Sequence, residues 1–120
     1  MNNFLGQKGE DIAARYLKKK GYTILERNYR TKNSEIDIIA KKGDTLCFVE
    51  VKARSSQLYG TPSQAVNYYK IKKISRGAMA YMSRITEDLC IRFDVIEVYH
   101  NPRSFFSRYQ INHIENAFEI

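Results

Sequence analysis

Cysteines are scarce in this chain, and long apolar runs are absent from it. Only Cys47 and Cys90 occur, too few for a disulfide framework, and each lies in an apolar run, where cysteine usually acts as a small hydrophobe. No stretch approaches the roughly 20 apolar residues that a membrane-spanning helix needs, and residues 1–10 lack the apolar segment of a signal peptide. We therefore expect a reduced, cytoplasmic protein without a membrane partner.

Acidic residues are also missing from a long segment, since none occurs between residues 53 and 86. The whole chain has 20 Lys and Arg against 13 Asp and Glu, which gives a net charge of +7. Such a surplus favours a polyanionic partner, above all nucleic acid, although a basic surface that serves solubility is the plain alternative. With 120 residues, the chain is long enough for a single domain, residues 1–120, with its own core.

The hydrophobic periodicity predicts the element order α-β-β-β-α-β-β. A first helix ends at Gly21, and a second begins with capping residues at Thr61, breaks within residues 67–70 and ends near residues 83–85. Strands are predicted over residues 22–28, 35–41, 45–52, 90–99 and 109–114. Residues 42–44 form a tight turn, so the second and third strands are expected to form an antiparallel hairpin.

Two acids and a lysine lie within the otherwise apolar strands of this hairpin. Strict alternation puts Asp37 on the face of Ile39, and Glu50 and Lys52 together on one face of the next strand. One turn geometry places Asp37 diagonal to Glu50, and a register shifted by two residues places it directly opposite. Either way the carboxylates lie within about 5–8 Å of each other. They can then share Mg²⁺ or Mn²⁺, with the Val51 carbonyl as a third oxygen ligand and Lys52 beside the attacked phosphate.

This acid-acid-lysine pattern resembles the core of PD-(D/E)xK nucleases, with Glu35-Ile-Asp37 followed by Glu50-Val-Lys52. Glu35-Ile36 stands where the superfamily pattern has Pro-Asp. Further segments resemble the YraN-like family of bacterial proteins: Gly6-Gln-Lys-Gly-Glu10, Gly21-Tyr22, Asn28-Tyr-Arg30, Glu35-Ile-Asp-Ile-Ile-Ala40, Phe48-Val-Glu-Val-Lys-Ala-Arg54, Gly60-Thr-Pro62 and Arg92-Phe-Asp-Val-Ile96. That family is similar to Holliday-junction resolvases within the restriction-endonuclease-like superfamily.

The resemblance covers nearly the whole chain and implies both a fold and a site. The implied fold is α/β (α+β), a restriction-endonuclease-like three-layer core in which a mixed central sheet of about five strands has flanking helices. The implied metal ligands are Asp37 and Glu50, the implied catalytic lysine is Lys52, and Glu10 is an additional acid from the first helix. Symmetric cutting of a branched substrate needs two sites, so the resemblance also implies a homodimer.

Two functions are compatible with these residues. The first is a metal-dependent nuclease that hydrolyses phosphodiester bonds in DNA, with branched and repair intermediates among the candidate substrates; the alternative is a non-catalytic nucleic-acid-binding module that retains the nuclease fold. Predicted contacts to the nucleic-acid backbone are Arg30, Arg54, Lys70, Lys73 and Arg76. Glu35 is interpreted as a rim or ion-pair residue, and Gln64 as a helix cap or, with Tyr68, part of a Gln-x-x-x-Tyr nuclease pattern. Asp94 and His113 are expected to be structural.

Overall fold

The computed structural model describes residues 3–54, 68–100 and 109–119, and their side chains from residue 7 onwards. Over these ranges it confirms the predicted element order. The elements are α1 (Asn3–Lys19), β1 (Thr23–Thr31), β2 (Ser34–Lys42), β3 (Thr45–Arg54), α2 (Tyr68–Met82), β4 (Cys90–His100) and β5 (Tyr109–Ile114).

Five strands of the described chain form one mixed sheet in the order β1-β2-β3-β4-β5. Strands β1, β2 and β3 pair antiparallel, β3 and β4 pair parallel, and β4 and β5 pair antiparallel. A parallel pair requires a long crossover, and α2 lies within it. The predicted mixed sheet with flanking helices is confirmed, and the arrangement is compatible with a restriction-endonuclease-like core.

Each face of the sheet buries its own apolar cluster, which makes three layers. On one face, Ala13 and Leu17 of α1 pack against Ile38 and Val49. On the other, Ile74 and Tyr81 of α2 belong to a cluster with Phe48 and Phe93, and the two phenylalanine rings stack with centroids 5.5 Å apart. Because both faces are covered, the middle parts of β2 and β3 are mainly apolar.

Two glycines fix the path of α1. Gly21 has a φ of 94°, a left-handed conformation that ends the helix, as predicted from its position. Gly9 faces β3 closely, since a Cβ atom on it would lie 2.9 Å from the Cβ of Ala53. This close approach brings the neighbouring Glu10 towards the end of β3.

The connection between β1 and β2 is shorter than predicted. The expected loop over residues 29–34 is wrong, because Arg30 pairs with Glu35 and Thr31 with Ser34, so both strands continue to a tight turn. The predicted start of α2 at Thr61 and its break lie mostly outside the described residues.

The cysteines differ in their surroundings. Both are free thiols; Cys47 is buried as expected, whereas Cys90 is exposed at the start of β4, so its expected packing as a small hydrophobe is wrong. Among the helices of the described ranges, none is long and apolar enough to cross a membrane.

Candidate metal and nucleic-acid site

The register between β2 and β3 determines how the two central acids meet. Ile38 lies opposite Val49, and Ile39 lies opposite Phe48. The paired residues end there, and Asp37 and Glu50 come next on the two strands, so of the two registers considered this is the one that directs Asp37 towards Glu50. The Val51 N–H bonds the Asp37 carboxylate and the charge of Glu50 acts on it, so the two carboxylates share one small region.

Strict alternation along β2 is interrupted at Asp37. Ile36 and Ile39 belong to the same core cluster, whereas Ile38 packs in the cluster on the other face. Regular alternation along β2 therefore does not extend back through Ile36, and the shared face of Asp37 and Ile39 stays a prediction. At this position the Val51 backbone N–H donates a hydrogen bond to Asp37 Oδ2 at 2.8 Å.

That hydrogen bond also locates the Val51 carbonyl. In an extended strand the N–H and C=O groups of one residue point towards the same neighbouring strand. The Val51 carbonyl oxygen therefore faces the side on which the Asp37 carboxylate lies, as its role as a third oxygen ligand requires.

Glu50 is almost completely buried, with 4% of its side chain exposed. Its Oε1 forms ion pairs with two lysines, with Lys70 Nζ at 3.0 Å and with Lys52 Nζ at 3.5 Å. A buried carboxylate is costly unless it is compensated, and here two lysines from different elements compensate it. Lys52 is thus placed beside Glu50 as predicted, while Lys70 is closer to the acid than sequence reasoning anticipated.

The Asp37 carboxyl is harder to ionise than an ordinary aspartate. Burial and the neighbouring charges of Glu50 and Glu10 raise its pKa to about 7, although the Val51 N–H and Lys70 act in the opposite direction. Strong perturbation by burial together with a like charge is typical of functional carboxylates.

This shift predicts a pH-dependent effect of Asp37→Asn. The pKa of Asp37 is higher in the folded chain than its ordinary 3.8, so stability from this group is complete below about pH 4 and is lost as the pH rises through about 7. The amide still offers an oxygen to the Val51 N–H. In EDTA we expect the free energy of unfolding of the variant to exceed that of the wild type by about 1–3 kcal/mol at pH 8 and to equal it near pH 4.

Urea unfolding at pH 4, 6 and 8 measures this difference. Asp44→Asn, an exposed acid at the other end of the hairpin, is the control and is expected to follow the wild type at each pH. If Asp37→Asn has the same free energy of unfolding as the wild type at pH 8, the stated environment of this carboxyl is wrong.

Glu10 of α1 lies within electrostatic reach of the acid pair. Its side chain is half-buried, and burial raises its pKa above the ordinary range; Arg27 opposes the shift, and the charges of Glu35 and Glu50 add to it. The predicted proximity of Glu10 to the pair is therefore reproduced by the fold, with Gly9 permitting the approach.

The oxygen ligands at this site fit a hard divalent cation that needs only a few ligands from the protein. Within the three described ranges, no group of three or more His, Cys, Asp and Glu side chains is arranged to hold a metal ion. Magnesium is commonly bound through one or two carboxylates and retains several waters. Asp37, Glu50 and the Val51 carbonyl supply oxygens of that kind, and the charge of Glu50 contributes, after burial, to the raised pKa of Asp37.

An open groove of about 750 Å³ adjoins the acid pair through Lys70. Its lining is mostly basic and polar, and four of the five predicted backbone-binding residues contribute to it. The lining residues are Arg30, Thr31, Lys32, Asn33, Ser34, Glu35, Lys70, Lys73, Ile74 and Arg76. Glu35 forms an exposed ion pair with Arg30 at 3.5 Å, in agreement with its interpretation as an ion-pair residue at the rim.

Arg54, the fifth predicted contact, lies elsewhere. Its Nε is 3.4 Å from Glu97 Oε2, and Glu97 is fully buried. Asn112 Nδ2 donates to the other oxygen of Glu97 at 3.0 Å. In the parallel register Glu97 is the partner of Lys52, so this acid adjoins the site although sequence reasoning missed it. Its signal in the sequence was a glutamate within the apolar run of β4.

Comparison with known proteins places the chain in a family. It matches the uncharacterised protein family UPF0102 over residues 9–98. It is 54% identical to a UPF0102 protein of Alkaliphilus oremlandii, over 98% of this chain and 100% of that protein. The chain belongs to the UPF0102 family. A UPF0102 protein of Geobacter metallireducens is 45% identical over 99% of this chain and 95% of its own length. UPF0102 is the YraN-like family, so the predicted resemblance to that family is confirmed.

The solved structures add little to this family assignment. The chain is similar to Pyrococcus furiosus SfsA in complex with Ca²⁺ at 15% sequence identity and a TM-score of 0.34. The likeness covers 98% of this UPF0102 chain and 65% of that one. It is too weak to support a statement about fold or ligand.

Asp94, a third buried acid of the UPF0102 chain after Glu50 and Glu97, lies in β4 within a polar network. Asp94 accepts hydrogen bonds from Arg92 at 2.9 Å and contacts His113 Nε2 at 2.7 Å, and the Asn116 N–H donates to it at 3.0 Å. Although burial alone would raise it, the pKa of Asp94 is lowered by these hydrogen bonds. Tyr16 bonds the other His113 nitrogen at 3.0 Å, which supports the structural role expected for Asp94 and His113.

Gln64 lies outside the described residues, so its role as a cap or as part of the Gln-x-x-x-Tyr pattern stays a prediction. Tyr68, the other member of that pattern, begins α2 within the described residues and is exposed.

Proposed function

We propose that this UPF0102 protein is a metal-dependent nuclease that hydrolyses phosphodiester bonds in DNA, including branched or repair intermediates. The observation that supports this most is the neighbouring pair Asp37 and Glu50, with Lys52 beside it and Lys70 linking it to a basic groove. Acids at the end of a basic groove repel phosphate unless a cation stands between them. The combination is therefore better suited to cutting a polyanion than to binding alone.

Each residue has a role in this proposal. Asp37, Glu50 and the Val51 carbonyl would hold Mg²⁺ or Mn²⁺, which when bound supplies activation of water and neutralises phosphoryl charge. Lys52 orients the attacking water and stabilises the anionic transition state. Water attacks phosphorus, the bond to the leaving sugar oxygen breaks, and that oxygen takes up the proton that the attacking water loses. Glu10 is the additional acid from α1 close to the pair.

The backbone of the substrate would lie in the groove. Arg30, Lys73 and Arg76 offer three cations along it, and Lys32 adds a fourth. Arginine and lysine contacts to phosphate fix the position of a strand without reading its sequence. We therefore propose a structure-directed rather than sequence-directed choice of substrate.

A non-catalytic nucleic-acid-binding module is the second candidate, and one observation favours it. Glu50 is already compensated by two lysines, so its burial does not depend on a cation. Binding to nucleic acid without cleavage in Mg²⁺ or Mn²⁺ would favour this module. Cleavage that requires either ion and disappears in Glu50→Gln would favour hydrolysis.

The homodimer and the cytoplasmic location stay predictions.

Salt dependence of binding tests the groove in both candidates. Contacts from about four cations predict a slope near −3.6 for log K against log salt on duplex DNA. The double variant Lys73→Gln/Arg76→Gln is expected to bring the slope close to −1.8 and to weaken binding. Fluorescence anisotropy in EDTA, over a series of salt concentrations, measures both quantities.

Lys19→Gln is the matched control, since Lys19 is exposed in the last turn of α1 and does not line the groove. It is expected to keep the wild-type slope to within a few tenths. Equal slopes for the double variant and the wild type would show that the nucleic acid does not use this groove.

A further inference from the structure

Lys70 occupies two surroundings at once. Its Nζ lies 3.0 Å from Oε1 of the buried Glu50, while 42% of its side chain is exposed. The same side chain lines the basic groove together with Arg30, Lys73 and Arg76. It therefore stands at the boundary between the acid pair and the proposed path of the nucleic acid.

Glu50 is compensated without a divalent ion, because the ammonium groups of Lys52 and Lys70 both lie against its Oε1. A divalent cation between Asp37 and Glu50 would bring two further positive charges close to both lysines, and like charges repel strongly in a partly buried site. One ammonium group must then move away or the cation binds weakly.

Lys70 is the group that can move. Lys52 is two residues from Glu50 on the same strand, and 24% of its side chain is exposed. Lys70 comes from a different element, is more exposed, and has the groove on its other side. Phosphates in that groove would offer its ammonium group a new anionic partner.

We propose that Lys70 is an exchangeable counter-ion, which neutralises Glu50 in the metal-free protein and transfers to a substrate phosphate when Asp37 and Glu50 bind a divalent cation. The inference rests on the proposed function, and it assigns Lys70 a positioning role that links two binding events. Because such linkage is reciprocal, occupation of the groove by nucleic acid strengthens binding of the cation.

Titration calorimetry with Mn²⁺ on the wild type, Lys70→Met and Lys70→Gln tests whether the Lys70 ammonium group competes with the cation. Removing the competing ammonium group is expected to lower the Kd for Mn²⁺ about tenfold in both variants. Lys72→Met is the control, since Lys72 is exposed on the same helix over the Tyr68 ring, and it is expected to keep the wild-type Kd. Thermal unfolding in EDTA and in Mn²⁺ shows that each variant folds, with a larger Mn²⁺-induced rise in Tm for the Lys70 variants.

A second experiment tests whether Lys70 transfers to a substrate phosphate in the groove. On a phosphorothioate-linked DNA duplex, which resists hydrolysis, Mn²⁺ is expected to steepen the salt slope of wild-type binding by about 0.9, which corresponds to one phosphate contact. The slope of Lys70→Met is expected to be the same with and without Mn²⁺. An unchanged or raised Kd for Mn²⁺ in both Lys70 variants, with normal binding by the wild type, would overturn this inference alone. Absence of Mn²⁺ binding by the wild type and both variants would overturn the proposed metal site as well.

Discussion

Asp37→Asn is expected to reduce Mg²⁺-dependent cleavage of DNA about 10³-fold while leaving binding to DNA intact. One of two carboxylate ligands becomes a neutral amide, and loss of about 4 kcal/mol of transition-state stabilisation corresponds to that factor. Binding persists because the cations of the groove are unchanged. Initial rates on labelled DNA, with the variant and the wild type at saturating DNA, measure the effect.

The stability of this variant makes the result easy to interpret. Asp37→Asn is expected to be at least as stable as the wild type at neutral pH, because burial and Glu50 raise the pKa of the carboxyl it removes. Lost cleavage therefore cannot result from unfolding. Asp44→Asn is the control and keeps wild-type rates, since Asp44 is exposed at the far end of the hairpin. If Asp37→Asn cleaves DNA at a rate within threefold of the wild type, the proposed role of Asp37 as a metal ligand is wrong.

Asp94→Ala is expected to lower the free energy of unfolding by about 3–5 kcal/mol, the usual cost of removing one partner of a buried charge pair. The substitution removes the buried anionic partner of Arg92 and His113, and it removes the acceptor of the Asn116 N–H. Four segments of the chain meet at this network, namely α1, β4, β5 and the residues that follow β5. Urea unfolding at pH 7 measures the loss.

Glu115→Gln provides a matched control for Asp94→Ala. Glu115 also pairs with Arg92, at 3.6 Å, but 60% of its side chain is exposed. Exposed pairs contribute about 0–1 kcal/mol, so this variant is expected to remain close to the wild type. Equal losses for the two variants would contradict the buried network. Cleavage per folded molecule is expected to be unchanged in both, since neither residue lies at the acid pair.

The hairpin of β2 and β3 shows how far local pattern reaches. β-branched residues and a tight turn predicted both strands, and alternation of faces brought Glu50 and Lys52 together. The sequence left two registers open for Asp37, because turn geometry and not residue type decides between them. It could not anticipate the hydrogen bond from the Val51 N–H to the Asp37 carboxylate, since strand periodicity describes faces and not side-chain contacts to the backbone.

Contacts between distant elements were beyond the local patterns. Lys70 was predicted as a backbone contact from its basic surroundings, yet its closeness to Glu50 depends on how α2 packs across the sheet. Glu97 was overlooked because its position beside Lys52 follows from the parallel pairing of β3 with β4, two strands separated by the whole crossover. The contact between Arg54 and Glu97 follows from the same strand pairing, and the predicted contact of Arg54 with nucleic acid stays a prediction.

The excess of positive charge is thus less informative than its arrangement. Basic residues line one groove, while the acids at its end are buried, close together and compensated by lysines. Solubility alone does not explain why Glu50 is buried close to Asp37, since burying like charges together costs free energy.

Cleavage of a panel of labelled linear, flapped and four-way DNAs tests the central proposal most directly. The wild type is incubated with Mg²⁺, with Mn²⁺ or with EDTA, beside Glu50→Gln as the matched variant. We predict cleavage of at least one substrate by the wild type with either ion, and none in EDTA or with Glu50→Gln. Cleavage that is equal in the wild type and Glu50→Gln, or binding of every substrate without cleavage in either ion, would contradict a metal-dependent nuclease.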